Sequence, residues 1–180
     1  MLLLVDNGSV YTKNITSFLS SKKIPFTASP YDDIVLDELG KFKSFILSGR
    51  RQNNREMNAI NSKIITHAVL EDKPLLGICY GAEILALTAG GTIRKMQSMQ
   101  KGNSKVTTMH KNPLCNGTIE VYQSHNFEIS QLGKSFIQIA KSDSCNYEII
   151  QYLDSRIFGT QFHPEMTQDG LGLIENFLLL

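Results

Sequence analysis

A cysteine, a histidine and a carboxylate together can cut an amide bond, and this sequence holds all three in suitable settings. Cys79 stands in Pro74-Leu-Leu-Gly-Ile-Cys-Tyr-Gly-Ala-Glu83. An apolar run ends at the cysteine, a helical pattern follows it, and Gly77 and Gly81 flank it. That is a strand–turn–helix pattern, which holds a nucleophile on a strained turn above the carboxyl edge of a sheet. A helix N-terminus behind the sulfur favours the thiolate. His163 and Glu165 stand in Gly159-Thr-Gln-Phe-His-Pro-Glu165. A histidine at a strand end can take and return the thiol proton. A carboxylate two residues on, across a turn stiffened by Pro164, can fix its tautomer.

The elements that must position these groups follow from the hydrophobic pattern. Leu2–Val5, Ser44–Leu47 and Pro74–Ile78 are short continuous apolar runs, as expected of parallel strands buried on both faces. Ile24–Thr27 reads as a further strand, with its proline at the start or at a sheet edge. Between them, Val10–Leu19, Met57–Leu70 and Gly81–Ala89 carry helical spacing, and Gly90-Gly91 is expected to cap the last. This alternation predicts an α/β fold with a mostly parallel sheet. After Thr92 the pattern changes to short strands near 105–109, 118–122, 136–140, 147–152 and 157–162, read as an antiparallel or mixed section. A helix over 170–180 closes the chain. No repeat or linker interrupts it, so residues 1–180 read as a single domain.

Composition narrows the function classes. The chain has 180 residues, with 18 Lys plus Arg against 17 Asp plus Glu, so its charge suggests neither nucleic acid nor an anionic membrane as partner. No stretch approaches the roughly 20 apolar residues of a membrane helix. Three widely spaced cysteines, Cys79, Cys115 and Cys145, suggest reduced thiols and a cytoplasmic location. Cys115, Cys145 and His110 lack metal-ligand spacing, and His67 reads as a packing or surface residue of its helix.

Gly77-Ile-Cys-Tyr-Gly81 and Gln161-Phe-His-Pro-Glu165, in this order, resemble the two signatures of class I, triad-type glutamine amidotransferases. The opening Leu-Leu-Val-Asp-Asn, Ile46-Leu-Ser-Gly49 and Ser124-His125 extend the likeness over nearly the whole chain. The resemblance implies a flavodoxin-like α/β domain that hydrolyses L-glutamine to glutamate and ammonia. It implies Cys79 as nucleophile, His163 as acid and base, and Glu165 as its partner. Backbone N–H groups of Tyr80, Gly49 and Arg50 would form the oxyanion hole. Gly81, Glu83, Ser124, His125 and Asn126 would line the substrate pocket. Within the family, Gly-Ile-Cys-Tyr-Gly and the Ser124-His125-Asn126 loop are most similar to the glutaminase of GMP synthetases. No pyrophosphatase loop or Walker P-loop is present. No cofactor is therefore expected in this chain, and ATP and magnesium are expected on a separate ATP pyrophosphatase or synthetase subunit.

Three positions depart from the family pattern. Glu83 stands where glutamine is usual, Arg50-Arg51 where Gly-Pro is usual, and Asn126-Phe127 delays the acidic residue of the Ser-His loop to Glu128. An ionised Glu83, one helical turn from Cys79, is expected to raise the thiol pKa. A side chain at position 50 is expected to be costly if its φ is positive. Three other readings stay open. An amidotransferase of an anthranilate or aminobenzoate synthase would come with a chorismate-using partner. A γ-glutamyl hydrolase would prefer γ-glutamyl peptides to free glutamine. A weakly active regulatory protein would have no need of an intact triad.

Overall fold

The computed structural model describes all 180 residues, and its architecture follows from where the apolar runs fall. They become β1 (Leu2–Asn7), β3 (Ser44–Arg50) and β4 (Leu75–Ile78), each almost wholly buried. In β1, Leu2 and Leu4 pack on one face of the sheet, and Leu3 and Val5 on the other. Two-sided burial explains why these strands read as continuous rather than alternating. Helices α1 (Thr12–Ser21) and α4 (Gln168–Phe177) cover the first face, through Ile15, Leu19, Leu173 and Phe177. Helices α2 (Arg55–Leu70) and α3 (Tyr80–Thr88) cover the second, through Ile64, Ala68, Ala82 and Leu85.

The caps lie where the chemistry of the termini requires them. Asn54 precedes α2 and accepts from the N–H groups of Glu56 and Met57, and Thr167 accepts from Gly170 at the start of α4. At the end of α3, Gly90 has φ +84°, and the N–H of Gly91 returns to the carbonyl of Ala86, as the Gly-Gly pair predicts.

One nine-stranded sheet runs through the molecule in the order β2-β1-β3-β4-β9-β8-β7-β5-β6. Here β2 is Phe26–Pro30, β5 Thr92–Thr108, β6 Thr118–Gln131, β7 Phe136–Lys141, β8 Ile149–Tyr152 and β9 Ile157–Thr160. Strands β2, β1, β3, β4 and β9 pair parallel, and β9, β8, β7, β5 and β6 pair antiparallel. The mixed C-terminal section is thus present, with β5 and β6 longer, and β8 and β9 shorter, than the sequence suggests. Strand β5 has 17 residues, not five, and β6 runs on to Gln131. Most of β5 is polar and solvent-facing, so no hydrophobic period betrays it; pairing with β6 along most of its length, and with β7 at its end, makes it a strand. Strand β2 begins after Pro25, two residues later than predicted, and its Pro30 is tolerated because β2 is an edge. No helix is long and apolar enough to cross a membrane.

Strands β1, β3, β4 and β9 end on one side of the sheet. Their carboxyl ends deliver Asn7, Arg50, Cys79 and, just beyond β9, His163 to the same edge.

Candidate active site

Cys79 occupies the single residue between β4 and α3, with φ 51° and ψ −103°. A residue with a side chain is strained there, and the surroundings hold it in place. Its N–H donates to the carbonyl of Thr160 at 2.7 Å, and its own carbonyl accepts from Ala82 and Glu83. The turn closes this tightly because its flanks have no side chains. A Cβ on Gly77 would lie 2.4 Å from the carbonyl oxygen of Gly81, and one on Gly81 2.4 Å from that of Leu47. Gly81 therefore packs under the turn and does not line the substrate cleft, which corrects its predicted place in the pocket. Tyr80 opens α3, so its N–H has no carbonyl one helical turn back within the helix.

His163 follows β9, and its N–H donates to the carbonyl of Tyr122 on β6 at 2.8 Å. Its Nδ1 donates to Oε1 of Glu165 at 2.8 Å. Pro164–Met166 forms one 3₁₀ turn, which brings the carboxylate back under the ring. Both side chains are buried, and Oε2 of Glu165 has no partner. Nε2 is left to face the thiol. Burial pulls the His163 pKa down, but the adjacent Cys79 sulfur and the Glu165 carboxylate outweigh it and hold the imidazole well above its ordinary value. Burial pushes the Cys79 thiol up, and His163 opposes that. The two titrate as a unit: neither charge is favoured alone, and each stabilises the other. The positive end of α3 adds to the thiolate's side.

The thiol opens into a cleft of about 630 Å³. Its walls include Tyr11, Arg50, Tyr80, Glu83, Lys101, Ser124, His125, Asn126 and His163. Of the predicted pocket residues, Glu83, Ser124, His125 and Asn126 are thus brought together around Cys79. Ser124, His125 and Asn126 do not form a loop. They lie within β6, where Ser124 and His125 pair with Lys101 and Gln100 of β5. The polarity that suggests a loop reflects a strand with one side on the cleft. His125 is buried, with Nδ1 2.7 Å from the carbonyl of Phe127 and Nε2 3.0 Å from Oε1 of Gln123.

Two of the departures meet each other. Nη2 of Arg50 lies 3.4 Å from Oε2 of Glu83, and Gln161 donates to Oε1 of Glu83 at 3.3 Å. The guanidinium also sits 4.4 Å from the centre of the Tyr80 ring and donates to Asn53. Position 50 does not have a positive φ, so the arginine brings no backbone strain. Burial raises the Glu83 pKa, and Arg50 then opposes that rise. As expected, the Glu83 charge pushes the Cys79 thiol upward, after the larger effects of burial and His163. Gly49 and Arg50 end β3 beside His163, where a Cβ on Gly49 would be 3.0 Å from Cε1 of the ring. No group of three His, Cys, Asp or Glu side chains is placed to hold a metal ion.

Sequence reasoning missed Tyr11, which sits over His163 with ring centroids 4.7 Å apart. It also missed the buried Glu148, which accepts from Gln123 behind the cleft wall. Neither belongs to a motif or a period, and only the fold brings them to the site.

Comparison with known proteins places this geometry in context. The family model for glutamine amidotransferase class-I matches residues 3–179. The glutamine-hydrolyzing GMP synthase subunit of Pyrococcus furiosus is 30% identical, covering 98% of this chain and 96% of its own length. Its counterpart from Thermoplasma acidophilum is 31% identical over 98% of this chain and 90% of its own. The chain spans only 36% of the glutamine-hydrolyzing GMP synthase of Vesicomyosocius okutanii, at 32% identity over 98% of the chain. A crystal structure from Thermoplasma acidophilum, provisionally assigned as a GMP synthase component, superposes with a TM-score of 0.87 at 30% identity, covering 98% and 91% of the two chains.

Proposed function

The chain belongs to the class I glutamine amidotransferase family, and on that premise we propose that it is the glutamine-hydrolysing subunit of a GMP synthase, which supplies ammonia to a separate ATP-using synthetase. The observation that carries the catalytic part is the strained Cys79 beside His163, whose Nδ1 is held by Glu165 at 2.8 Å.

The reaction follows from that arrangement. His163 takes the thiol proton, and the Cys79 sulfur attacks the side-chain amide carbon of glutamine. The negative oxygen that forms is held by backbone N–H groups of Tyr80 and of the Gly49–Arg50 strand end. One such donor contributes ~2.7–4 kcal/mol to the transition state. His163 returns its proton to the departing nitrogen, so ammonia leaves and a thioester remains. Water, deprotonated by His163, attacks the thioester carbon, and glutamate leaves as the thiol is restored. Glu165 keeps Nδ1–H in place through both halves. Glu83, Ser124, His125 and Asn126 line the part of the cleft that receives the rest of the substrate.

The acceptor half of the proposal rests on the archaeal GMP synthase relatives, which are nearly coextensive with this chain. Ammonia free in neutral water is mostly protonated and not nucleophilic, so a lone glutaminase wastes its substrate. Low activity alone and a marked rise on docking are therefore expected. The test mixes the chain with its cognate ATP pyrophosphatase, xanthosine monophosphate, ATP, magnesium and glutamine. Glutamine-dependent GMP formation is expected, with glutaminase activity increasing in the mixture. An ATP pyrophosphatase that makes GMP from ammonium chloride but gains nothing from this chain and glutamine contradicts the assignment.

A further inference from the structure

The hydrogen bond from Nδ1 of His163 to Glu165 fixes one atom of the ring, and a single bond of this kind acts as a hinge. Something else must set the ring's plane if Nε2 is to stay aimed at the sulfur. The contacts on the ring show what does. On one side lies Gly49, where an added Cβ would come 3.0 Å from Cε1. Against the ring also lies Tyr11, 4.7 Å between centroids and 65° between planes, an edge-to-face contact.

Tyr11 is itself held firmly for a half-buried residue at a turn. The Asp6 carboxylate organises that turn, accepting from the N–H of Gly8 at 2.9 Å and the hydroxyl of Thr12 at 2.8 Å. The Ser9 hydroxyl accepts from the N–H of Tyr11 at 3.2 Å. At the far end of the side chain, the Tyr11 hydroxyl donates to Oγ of Ser124 on β6 at 3.3 Å. The ring of Tyr122, the residue whose carbonyl holds the His163 backbone, packs edge-on against it at 5.9 Å. The tyrosine thus bridges the turn after β1 and the β5–β6 ribbon, with the imidazole beneath.

We propose that Tyr11 is a positioning residue for His163, whose ring holds the imidazole in the rotamer that presents Nε2 to Cys79 and supports its charged form. This rests on the triad reading above and assigns a role to a residue outside both signatures. The ring carries the effect. It restricts rotation about the His163–Glu165 bond and keeps bulk water off the imidazole, so that the imidazolium stays paired with the Cys79 thiolate. The hydroxyl serves to anchor the ring on Ser124.

The test compares Tyr11→Leu with Tyr11→Phe, which keeps the ring. The main readout is the rate of Cys79 alkylation by iodoacetamide against pH, without glutamine. It reports the thiolate–imidazolium pair even if glutamine proved to be the wrong substrate. For Tyr11→Leu, alkylation at pH 7 is expected to be slower by roughly five- to tenfold, with the thiolate limb moved to higher pH. The glutaminase kcat should fall by a similar factor, with KM within about twofold. Tyr11→Phe should stay within about twofold of the native chain in both assays. A purely structural role lowers the melting temperature without moving the alkylation limb. Tyr11→Met gives the same reading should the leucine variant fail to fold. Native alkylation kinetics in the folded leucine or methionine variant overturn the proposal. So does a Tyr11→Phe loss as large as that of Tyr11→Leu, which would place the effect on the hydroxyl.

Discussion

On the parallel side of the sheet the cleft is shaped by backbone. Cys79 is held at a positive φ between β4 and α3, Gly77 and Gly81 allow the turn to close, and His163 and Glu165 share one short turn after β9. On the antiparallel side it is shaped by side chains. Ser124 and His125 project from a long polar ribbon, and their positions depend on Tyr11, Gln123 and Glu148. The first arrangement fixes atoms where bonds change and tolerates little substitution. The second forms a wall whose residues can vary while the strand pairing persists. The Arg50–Glu83 pair lies at the boundary between the two, in both the wall and the turn's surroundings.

The contrast predicts unequal losses. Glu165→Gln keeps the shape of the side chain but no longer stabilises the imidazolium or enforces its tautomer. Its kcat for glutamine should fall by roughly 10³-fold or more, as for the carboxylate of comparable triads. On the opposite wall, Ser124→Ala should cost less than about tenfold, since it removes one neutral hydrogen bond. Steady-state kinetics on both variants check this. A Ser124→Ala loss equal to that of Glu165→Gln breaks the distinction between the two sides.

The next effect is on stability and belongs to the ribbon side. Glu148 is fully buried, accepts from Gln123 on Oε1 and has no partner on Oε2. Burial pushes its pKa up to about 7, and the nearby Glu128 adds to the rise. The folded chain therefore holds this proton more tightly than the unfolded chain. Its ionisation costs stability progressively as pH rises from about 4.5 to about 7, and the cost is complete above that. Glu148→Gln removes the charge and keeps an acceptor. The variant should gain on the native chain across that window, by an amount on the order of 3 kcal/mol at pH 8. Urea unfolding at pH 4.5 and pH 8 measures it, and a pH-independent difference contradicts the assignment.

The smallest effect concerns the boundary pair. Glu83→Gln removes a negative charge near the thiol, so the thiol pKa should fall and alkylation of Cys79 at neutral pH should quicken by less than about tenfold. The same change strips Arg50 of its carboxylate. A double-mutant cycle with Arg50→Gln should therefore give a stability coupling of about 1–2 kcal/mol. A coupling near zero leaves the two departures independent, despite their contact.

The same contrast governs what is legible in the sequence. Leu2–Val5 and Pro74–Ile78 announce strands because two-sided burial leaves an unbroken apolar run, and Cys79, His163 and Glu165 stand in local motifs that survive without the fold. The ribbon offers neither signal. Residues 94–104 are largely polar and become a strand only by pairing with β6, so the Ser124–Asn126 segment reads as a loop. Glu83 and Arg50 are each visible as unusual, but 33 residues separate them and their pairing is a tertiary fact. Tyr11 is one aromatic residue after a turn, and nothing local distinguishes it from a surface ring. Gly81 is misread for the opposite reason. It belongs to the signature, yet the signature needs it for packing against Leu47 rather than for touching substrate.

The central claim is that Cys79 is the nucleophile for a glutamine side chain, and covalent capture tests it most directly. A glutamine-like diazo-ketone binds as the substrate does and alkylates the attacking sulfur. Burial pushes the thiol of Cys115 up to about 11 and that of Cys145 higher still, and neither has an imidazole to offset it. Peptide mapping by mass spectrometry should therefore find one adduct per chain, on Cys79, with excess glutamine protecting it. An adduct on Cys115 or Cys145, or labelling of Cys79 that glutamine does not slow, contradicts the claim.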